Sequence, residues 1–431
     1  MLRLAAADRV WSALSPRARR SAAALLLAIA TLPVLARQYI GKTQSDIQVY
    51  RDAVDALLQG RLYDGHVFEY PPYALIWFLA PYASAPHDLQ NYRLAFGIEI
   101  WLFDAAIKAT LLWRALRARP GFPDLLPFFV YSLGSAALGH VLLMRYDLIP
   151  AGLSLAGALA VLGGFPFIGG AATALAAGTK VYPALFLPIL AIVAWRRRDV
   201  GRFAAGVAVA SVPLLLLAVW MPWWNFVAFH GARGLEAGSS LASVIWSLHR
   251  VAGVDASWGL VGTSNEVGGP LAGRLLGPAR AFWVASTLAC LGVASASALR
   301  ALRANNEAMT PASLAMLMLL PIVAFVATNT VLSPQFHLWL IPLAALVLEG
   351  RSTLPRHAAR GAWAVFLATM VVPAFFPHRE FGRGLGVGLT GVLVLRNALL
   401  AYATVALWKA AILFVSAASQ KPDQRVARSL S

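Results

Sequence analysis

Runs of apolar residues recur along this chain of 431 residues, and each run of about 18 to 20 residues is long enough to cross about 30 Å of hydrocarbon as a helix. Inside a bilayer every backbone N–H and C=O must be paired within the protein, so continuous apolar runs can span it only as helices. Only 13% of the residues are charged, against about 25% in soluble domains. The sequence therefore predicts an all-α polytopic membrane protein that forms one domain over residues 1–431.

The apolar runs and the polar breaks between them predict about twelve transmembrane helices, within a range of about ten to thirteen. The predicted spans are residues 21–40, 92–113, 125–143, 148–163, 166–179, 182–195, 203–221, 280–299, 312–330, 335–349, 360–376 and 392–415. The first run follows a long basic segment and no clear small-residue cleavage site follows it, so we expect an uncleaved first helix rather than a signal peptide.

The net charge is +17, and basic residues in the loops explain it. In a soluble protein this charge would suggest a nucleic-acid partner, but membrane proteins collect Arg and Lys in cytoplasmic loops, where these residues set the topology and meet anionic lipid. We expect membrane lipids as partners and no nucleic acid. The alternation of basic clusters places residues 1–20 and 416–431 in the cytoplasm, and residues 41–90 and 222–278 outside the plasma membrane.

Acidic residues collect on the outer side of this topology, although they did not define it. They are Asp46, Asp52, Asp55, Asp64, Glu69, Asp88, Asp147, Glu236, Asp255, Glu266 and Glu380. Because acids do little to set topology, their pooling on one face indicates a working surface there.

The first outer loop predicts two helices on the membrane surface. Apolar residues at positions 47–58 recur at helical spacing and Gly60 ends the run, which predicts an amphipathic helix on the outer surface. Tyr-Pro-Pro at 70–72 forces an extended entry into the next segment, because proline fixes its own φ and restricts the residue before it. The following run, 73–82, is too short to span a bilayer and predicts a second juxtamembrane or re-entrant helix.

Asp46 stands where the first span turns into this surface helix. A carboxylate at that position can cap the helix, as Ser45 could equally well, or it can take part in binding or proton transfer. The spacing alone leaves both interpretations open.

Two cationic residues also lie at outer helix ends. Lys180 stands between two apolar runs, and a lysine there can snorkel to the interface or hold a lipid phosphate. Arg145 and Asp147 stand at another outer helix end, where they can pair with each other or serve a site.

The segment Ser333-Pro334-Gln335-Phe336-His337 opens a predicted span. Proline near a first turn is an ordinary helix start. His337 lies just inside the span, as a hydrogen-bonded core residue or as a catalytic or binding group. The sequence carries no Walker A loop, no GxGxxG, no HExxH and no cysteine pair.

The order of these segments resembles the GT-C superfamily of membrane glycosyltransferases, and most of all glycosyltransferase family 87, the polyprenol-phosphate-dependent mannosyl- and arabinofuranosyltransferases. The matching segments are 45–50, 60–63, Glu-Tyr-Pro-Pro-Tyr at 69–73, Lys-Val-Tyr-Pro at 180–183 and Ser-Pro-Gln at 333–335. Where relatives often carry Gly-Gln and Asn, this chain has Arg-Tyr-Asp at 145–147. The resemblance therefore leaves the sugar and the acceptor open.

The resemblance implies a GT-C-like helix bundle that transfers mannose or a related hexose or pentose from a polyprenyl-phosphate donor to a lipid or glycan acceptor, with inversion and a carboxylate base. We expect the base to face the acceptor rather than the donor phosphate, and we expect no cofactor and no metal. The candidate residues are Asp46 and His337 for catalysis, Lys180 and Arg145 for the donor phosphate, and Glu69, Tyr70, Tyr182 and Gln335 for substrate binding.

The main alternative is a transporter or flippase of a polar or lipid-linked solute, because many helices and interrupted spans are typical of transporters. A structural or ligase-like membrane protein is a third interpretation. The pooling of charge on one face, rather than at mid-membrane, favours the enzyme.

Overall fold

The computed structural model describes residues 11, 13–36, 45–63, 68–85, 88–117, 122–220, 222, 225–261, 264–304, 309–350, 353–375 and 386–418. In these parts the chain is predominantly helical, as the sequence predicts, with one short antiparallel pair of strands that the sequence did not indicate. The outer acids Asp64 and Glu380, and most of the two predicted cytoplasmic termini, lie outside the described residues.

The first half of the chain forms ten described helices. They are α1 (Pro16–Ala36), α2 (Ser45–Leu58), α3 (Ala74–Ser84), α4 (Leu89–Arg117), α5 (Leu126–Leu138), α6 (His140–Met144), α7 (Leu148–Leu162), α8 (Pro166–Thr179), α9 (Leu187–Arg196) and α10 (Val200–Trp220). Short 3₁₀ turns, Phe122–Leu125 and Tyr182–Phe186, precede α5 and α9.

The second half begins with four elements of the predicted second outer loop: α11 (Asn225–Ala232), α12 (Ser240–Ala252), β1 (Ser257–Val261) and β2 (Ser264–Gly268). The helices that follow are α13 (Pro270–Ala304), α14 (Pro311–Thr328), α15 (His337–Glu349), α16 (Arg356–Met370) and α17 (Val387–Ala418). A 3₁₀ turn, Pro334–Phe336, leads into α15, and another, Val372–Phe375, follows α16.

Four described helices are long and apolar enough to cross a membrane by length and composition: α10, α13, α14 and α17. Shorter apolar helices of 10–17 residues accompany them. The chain is a multi-pass membrane protein, and the count of about twelve spans stays a prediction.

Three predicted boundaries need correction. The first described helix begins at Pro16 instead of residue 21, because arginine is a good helix former and a search for apolar runs misses a basic first turn. The end of this predicted span, residues 37–40, lies outside the described residues. The predicted third span is divided between α5 and α6 at Gly139, whose φ is +56°, a conformation that glycine adopts readily. Helix α13 begins at Pro270 instead of 280 and has 35 residues, so the predicted outer loop is mostly folded.

The two helices predicted on either side of Tyr-Pro-Pro are present as α2 and α3. Gly60 follows α2 with φ +68°, which suits glycine. Helix α2 buries one face, and its Tyr50 ring stacks on Phe78 of α3 at 4.3 Å between ring centres. This packing fixes the start of α2, and with it Asp46.

Helices α8 and α10 approach so closely that their glycines leave no room for a side chain. A Cβ at Gly170 would lie 2.2 Å from the backbone oxygen of Phe203, and one at Gly206 would lie 2.0 Å from that of Phe167. Small residues allow such close backbone contact in membranes, where helices gain little from burying apolar surface against each other. The contact fixes α8, which ends beside Lys180.

The folded second outer segment is tied to the ends of the apolar helices. Ser240 Oγ donates to the backbone oxygen of Ala327 in α14 at 2.6 Å. Asn397 Nδ2 of α17 donates to the backbone oxygens of Gly238 and Ser239, each at 3.3 Å. These bonds hold the segment between α11 and α12 against the helix bundle.

Candidate functional site

Asp46 and Arg145 form an ion pair between the first outer segment and the turn after α6. Asp46 is the second residue of α2, and Arg145 follows α6 in an extended conformation. Both side chains keep partial exposure, 20% for Asp46 and 28% for Arg145. The Asp46 carboxylate therefore contacts Arg145, one of the two cations predicted to bind the donor phosphate, and the expectation that it faces the acceptor stays a prediction.

Lys180 pairs with Asp147 at the shared end of the α7–α8 hairpin. The distance from Nζ to Oδ1 is 2.5 Å, and the side chains are 18% and 1% exposed. Trp339 Nε1 donates to the same carboxylate oxygen at 2.6 Å. Burial lowers the pKa of Lys180, and the nearby Asp147 carboxylate opposes that shift. The possible Arg145–Asp147 pair is not formed, since each residue has another partner.

Aromatic rings surround the Lys180 ammonium. Its Nζ lies 4.7 Å from the centre of the Tyr146 ring and 5.2 Å from that of Trp339, within the range of cation–π attraction. Tyr182 stacks on Trp339 with ring centres 4.3 Å apart. The structure thus places Tyr182 beside the predicted phosphate-binding lysine.

Glu69 and Tyr70 adjoin the same region. Tyr70 donates its hydroxyl to Glu69 Oε1 at 2.7 Å, and its ring meets that of Tyr146 edge-on at 5.3 Å between centres. His230 of α11 hydrogen-bonds through Nε2 to the backbone oxygen of Glu69 at 3.1 Å. The first and second outer segments therefore meet at Glu69.

Several buried polar atoms in this region have no hydrogen-bond partner among the described residues. They include the hydroxyls of Tyr50, Tyr146 and Tyr182, the Oδ2 atom of Asp147 and the Oε2 atom of Glu236. Folded proteins pair the large majority of their buried polar atoms. Unpaired ones mark a place where a ligand or ordered water supplies the missing bonds.

Glu236 and Arg233 belong to this region, and the sequence analysis assigned neither of them to the site. Arg233 Nη2 lies 4.0 Å from Glu236 Oε2. Burial raises the pKa of Glu236, and the charges of Arg233 and Arg145 oppose that shift. An arginine in a loop predicted to lie outside runs against the positive-inside rule, and this signal could have identified the segment.

No hydrogen bond joins His337 or Gln335 to the paired charges within the described part of the chain. His337 is fully buried, and its Nδ1 hydrogen-bonds with Thr369 Oγ1 of α16 at 3.1 Å. Its Nε2 atom has no hydrogen-bond partner among the described residues, so the interpretations as a core histidine and as a catalytic group both stay open. Gln335 lies partly exposed on the 3₁₀ turn after Ser333, and Ser333 opposes the rise in the pKa of Glu236.

An open apolar groove of about 470 Å³ runs between α3, α7, α8 and α10. Its lining includes Tyr73, Leu175 and Pro213. Tyr73 donates its backbone N–H to the backbone oxygen of Gly178 at 3.2 Å, and a Cβ on Gly178 would lie 2.4 Å from the Tyr73 ring. Lys180 is two residues beyond Gly178, so one wall of the groove lies close to the charged cluster, although no charged residue belongs to its described lining.

Comparisons with known proteins add the following. The family model of glycosyltransferase family 87 matches residues 68–327, more than half of the chain. Among solved structures, the crystal structure of ArnT from Cupriavidus metallidurans in the apo state is similar, with a TM-score of 0.45 and 16% identity, over 91% of this chain and 78% of that one. A search of the curated proteins found no match. The matched range includes Arg145, Lys180 and Glu236, whereas Asp46 and His337 lie outside it.

Proposed function

Because the chain belongs to glycosyltransferase family 87, we propose that it transfers mannose or a related hexose or pentose from a polyprenyl-phosphate donor to a lipid or glycan acceptor, with inversion. The site faces the outside of the plasma membrane, and both termini are cytoplasmic. The observation that carries the proposal is the presence of two neighbouring carboxylate–cation pairs, with an open apolar groove nearby.

The cations of the two pairs suit a phosphate leaving group. Negative charge develops on the phosphate as its bond to the sugar breaks, and fixed positive charge stabilises it. Lys180 and Arg145 are partly exposed, while Asp147 is fully buried behind Lys180. Each cation also has more donors than its one carboxylate uses, so a phosphate can share them.

The groove suits the polyprenyl chain of the donor. Its described lining is almost entirely apolar, and most of the lining residues belong to α8 and α10. Burying five methylene-sized groups there would contribute about 4 kcal/mol. The chain would lie in the groove while the phosphate reaches Lys180.

Asp46 is the proposed base. The acceptor hydroxyl gives its proton to the carboxylate while its oxygen bonds to the anomeric carbon, and the phosphate leaves with the electron pair of the broken C–O bond. Arg145 holds the carboxylate in place and also reduces its basicity. When the phosphate shares Arg145, the carboxylate regains basicity, which links donor binding to proton removal.

The tyrosines and Asp147 suit the sugar of the donor. Sugar hydroxyls both donate and accept hydrogen bonds, and the free hydroxyls of Tyr50, Tyr146 and Tyr182 and the free oxygen of Asp147 can pair with them. Glu69 and Tyr70 border this region. Gln335 and His337 are the further substrate-binding and catalytic candidates.

The test incubates the purified protein with radiolabelled polyprenyl-phosphate sugars and a membrane lipid extract. A new labelled glycolipid, formed by the wild type and by Asp52→Asn but not by Asp46→Asn, supports the proposal; Asp52 is the matched acid on the same helix. Uptake of label into vesicles without transfer would instead support the transporter or flippase.

A further inference from the structure

Glu236 is a carboxylate that the proposed transfer mechanism leaves without a role. Its side chain is 13% exposed, and its Oε2 atom has no hydrogen-bond partner within the described part of the chain. Ser333 opposes the rise in the pKa of the carboxyl, and Arg233 Nη2 lies 4.0 Å from Oε2. A buried carboxylate oxygen without a donor is costly. Oε2 is therefore positioned to accept a hydrogen bond from a ligand.

The backbone around Glu236 is held from three sides. Its own N–H donates to the backbone oxygen of Thr330 at 2.9 Å, and the N–H of Ala237 donates to that of Asn265 at 2.8 Å. The backbone oxygen of Gly238 accepts from Asn397 of α17. Binding groups held in this way are preorganised, because little conformational freedom remains to be lost when the ligand arrives.

Glu236 lies near Arg145, the residue whose guanidinium pairs with Asp46. The carboxylate of Glu236 favours the charged form of Arg145, and Arg145 contacts Asp46. One acid from each outer segment therefore lies near Arg145. A sugar carries hydroxyls on several sides, so one hydroxyl can meet Asp46 while another meets Glu236.

We propose that Glu236 and Arg233 bind the sugar headgroup of the acceptor. The carboxylate accepts from a sugar hydroxyl and the guanidinium donates to a sugar oxygen, which suits a ring that does both. Asp46, the proposed base, meets the acceptor hydroxyl beside Arg145, so a second carboxylate near Arg145 suits the acceptor rather than the donor phosphate held at Lys180. The assignment rests on the proposed transfer reaction and adds to it the class of acceptor: a glycan or glycolipid, rather than a lipid that lacks a sugar.

The experiment measures initial rates of transfer by wild type and Glu236→Gln. The acceptor probe is the glycolipid fraction of the membrane extract, dosed by its total hexose, and donor and acceptor are varied in turn. Glutamine keeps the shape and one acceptor oxygen but removes the charge, and charged hydrogen bonds are about twice as strong as neutral ones. We expect the apparent KM for the acceptor to rise about tenfold, while the KM for the donor and the unfolding temperature stay unchanged.

Two further variants keep this test decisive. Asp255→Asn removes an exposed acid of the same outer segment and should leave both KM values unchanged. Ser333→Ala removes the hydroxyl that favours the charged form of Glu236 and should raise the KM for the acceptor by a smaller factor. This variant replaces the first test if Glu236→Gln folds poorly. An unchanged acceptor KM, or a rise confined to the donor KM, overturns the assignment alone. Absence of any transfer by the wild type overturns the proposed function, and this assignment with it.

Discussion

Replacing Lys180 by methionine should destabilise the protein as well as impair transfer. Methionine keeps much of the apolar stem and removes the charge. The ammonium lies 2.5 Å from Asp147, which is 1% exposed. Asp147 keeps the Trp339 N–H as a donor at 2.6 Å, but it loses the positive charge that balances it. A buried carboxylate without a counter-charge is left behind.

The size of the effect follows from that carboxylate. Removing one partner of a buried ion pair costs about 3–5 kcal/mol. The remaining aspartate can instead take up a proton, which costs about 4 kcal/mol near pH 7 and about 1.5 kcal/mol near pH 5. This cost is an upper limit on the loss of stability. We therefore expect a loss of roughly 3–4 kcal/mol near pH 7 that shrinks to about 1.5 kcal/mol near pH 5. The loss grows with pH because the folded variant holds a proton that the unfolded chain releases, so the stability of the variant falls as pH rises.

Thermal unfolding in detergent, followed by tryptophan fluorescence at both pH values, measures this loss beside the KM for the donor. The double variant Lys180→Met/Asp147→Asn should regain most of the stability but not the use of donor, because it removes the unpaired charge without restoring the cation. Lys409→Met, at an exposed lysine of α17, is the control. Wild-type stability of Lys180→Met at both pH values would refute the burial argument. Recovery of donor use by the double variant would refute the phosphate role.

Three further predictions concern the same site. Asp46→Asn should lower turnover by about 10²–10⁴-fold. It should also raise the KM for the donor, because Arg145 loses the carboxylate that holds it in position; initial rates near wild type would contradict this. Tyr182→Phe should leave the unfolding temperature unchanged, because the described residues offer its hydroxyl no partner, yet raise the KM for the donor; a lower unfolding temperature would reveal an overlooked bond. On a background lacking Cys290, a cysteine at position 52 should react with an impermeant label from outside; reaction only after permeabilisation would reverse the proposed orientation.

The apolar helices are the part of the fold that the sequence predicts best. The predicted span 166–179 coincides with α8, and 148–163 differs from α7 by one residue at its end. These runs are bounded by glycines at one end and by charged residues at the other, so hydropathy alone locates them. The second outer segment was not predicted in detail, because its mixed composition gives hydropathy no signal.

The partners of the site residues could not be read from the chain. Arg145 stands close to Asp147 in sequence, yet it pairs with Asp46, about a hundred positions earlier. Such pairing depends on how α2, α6 and α7 pack, which no local pattern encodes. Glu236 was counted among the outer acids, but its burial and its unpaired oxygen depend on contacts with α14 and α17.

The lengths of α7 and α8 set the depth of the Lys180–Asp147 pair. The two helices have 15 and 14 residues and rise about 22 and 21 Å, against about 30 Å of hydrocarbon. With the turn that joins them at one bilayer surface, the pair lies about 8 Å short of the other surface. This is a hydrophobic mismatch, and a bilayer accommodates such short helices by thinning around them. A lipid phosphate that follows the thinned surface reaches the depth of Lys180 without leaving the headgroup layer.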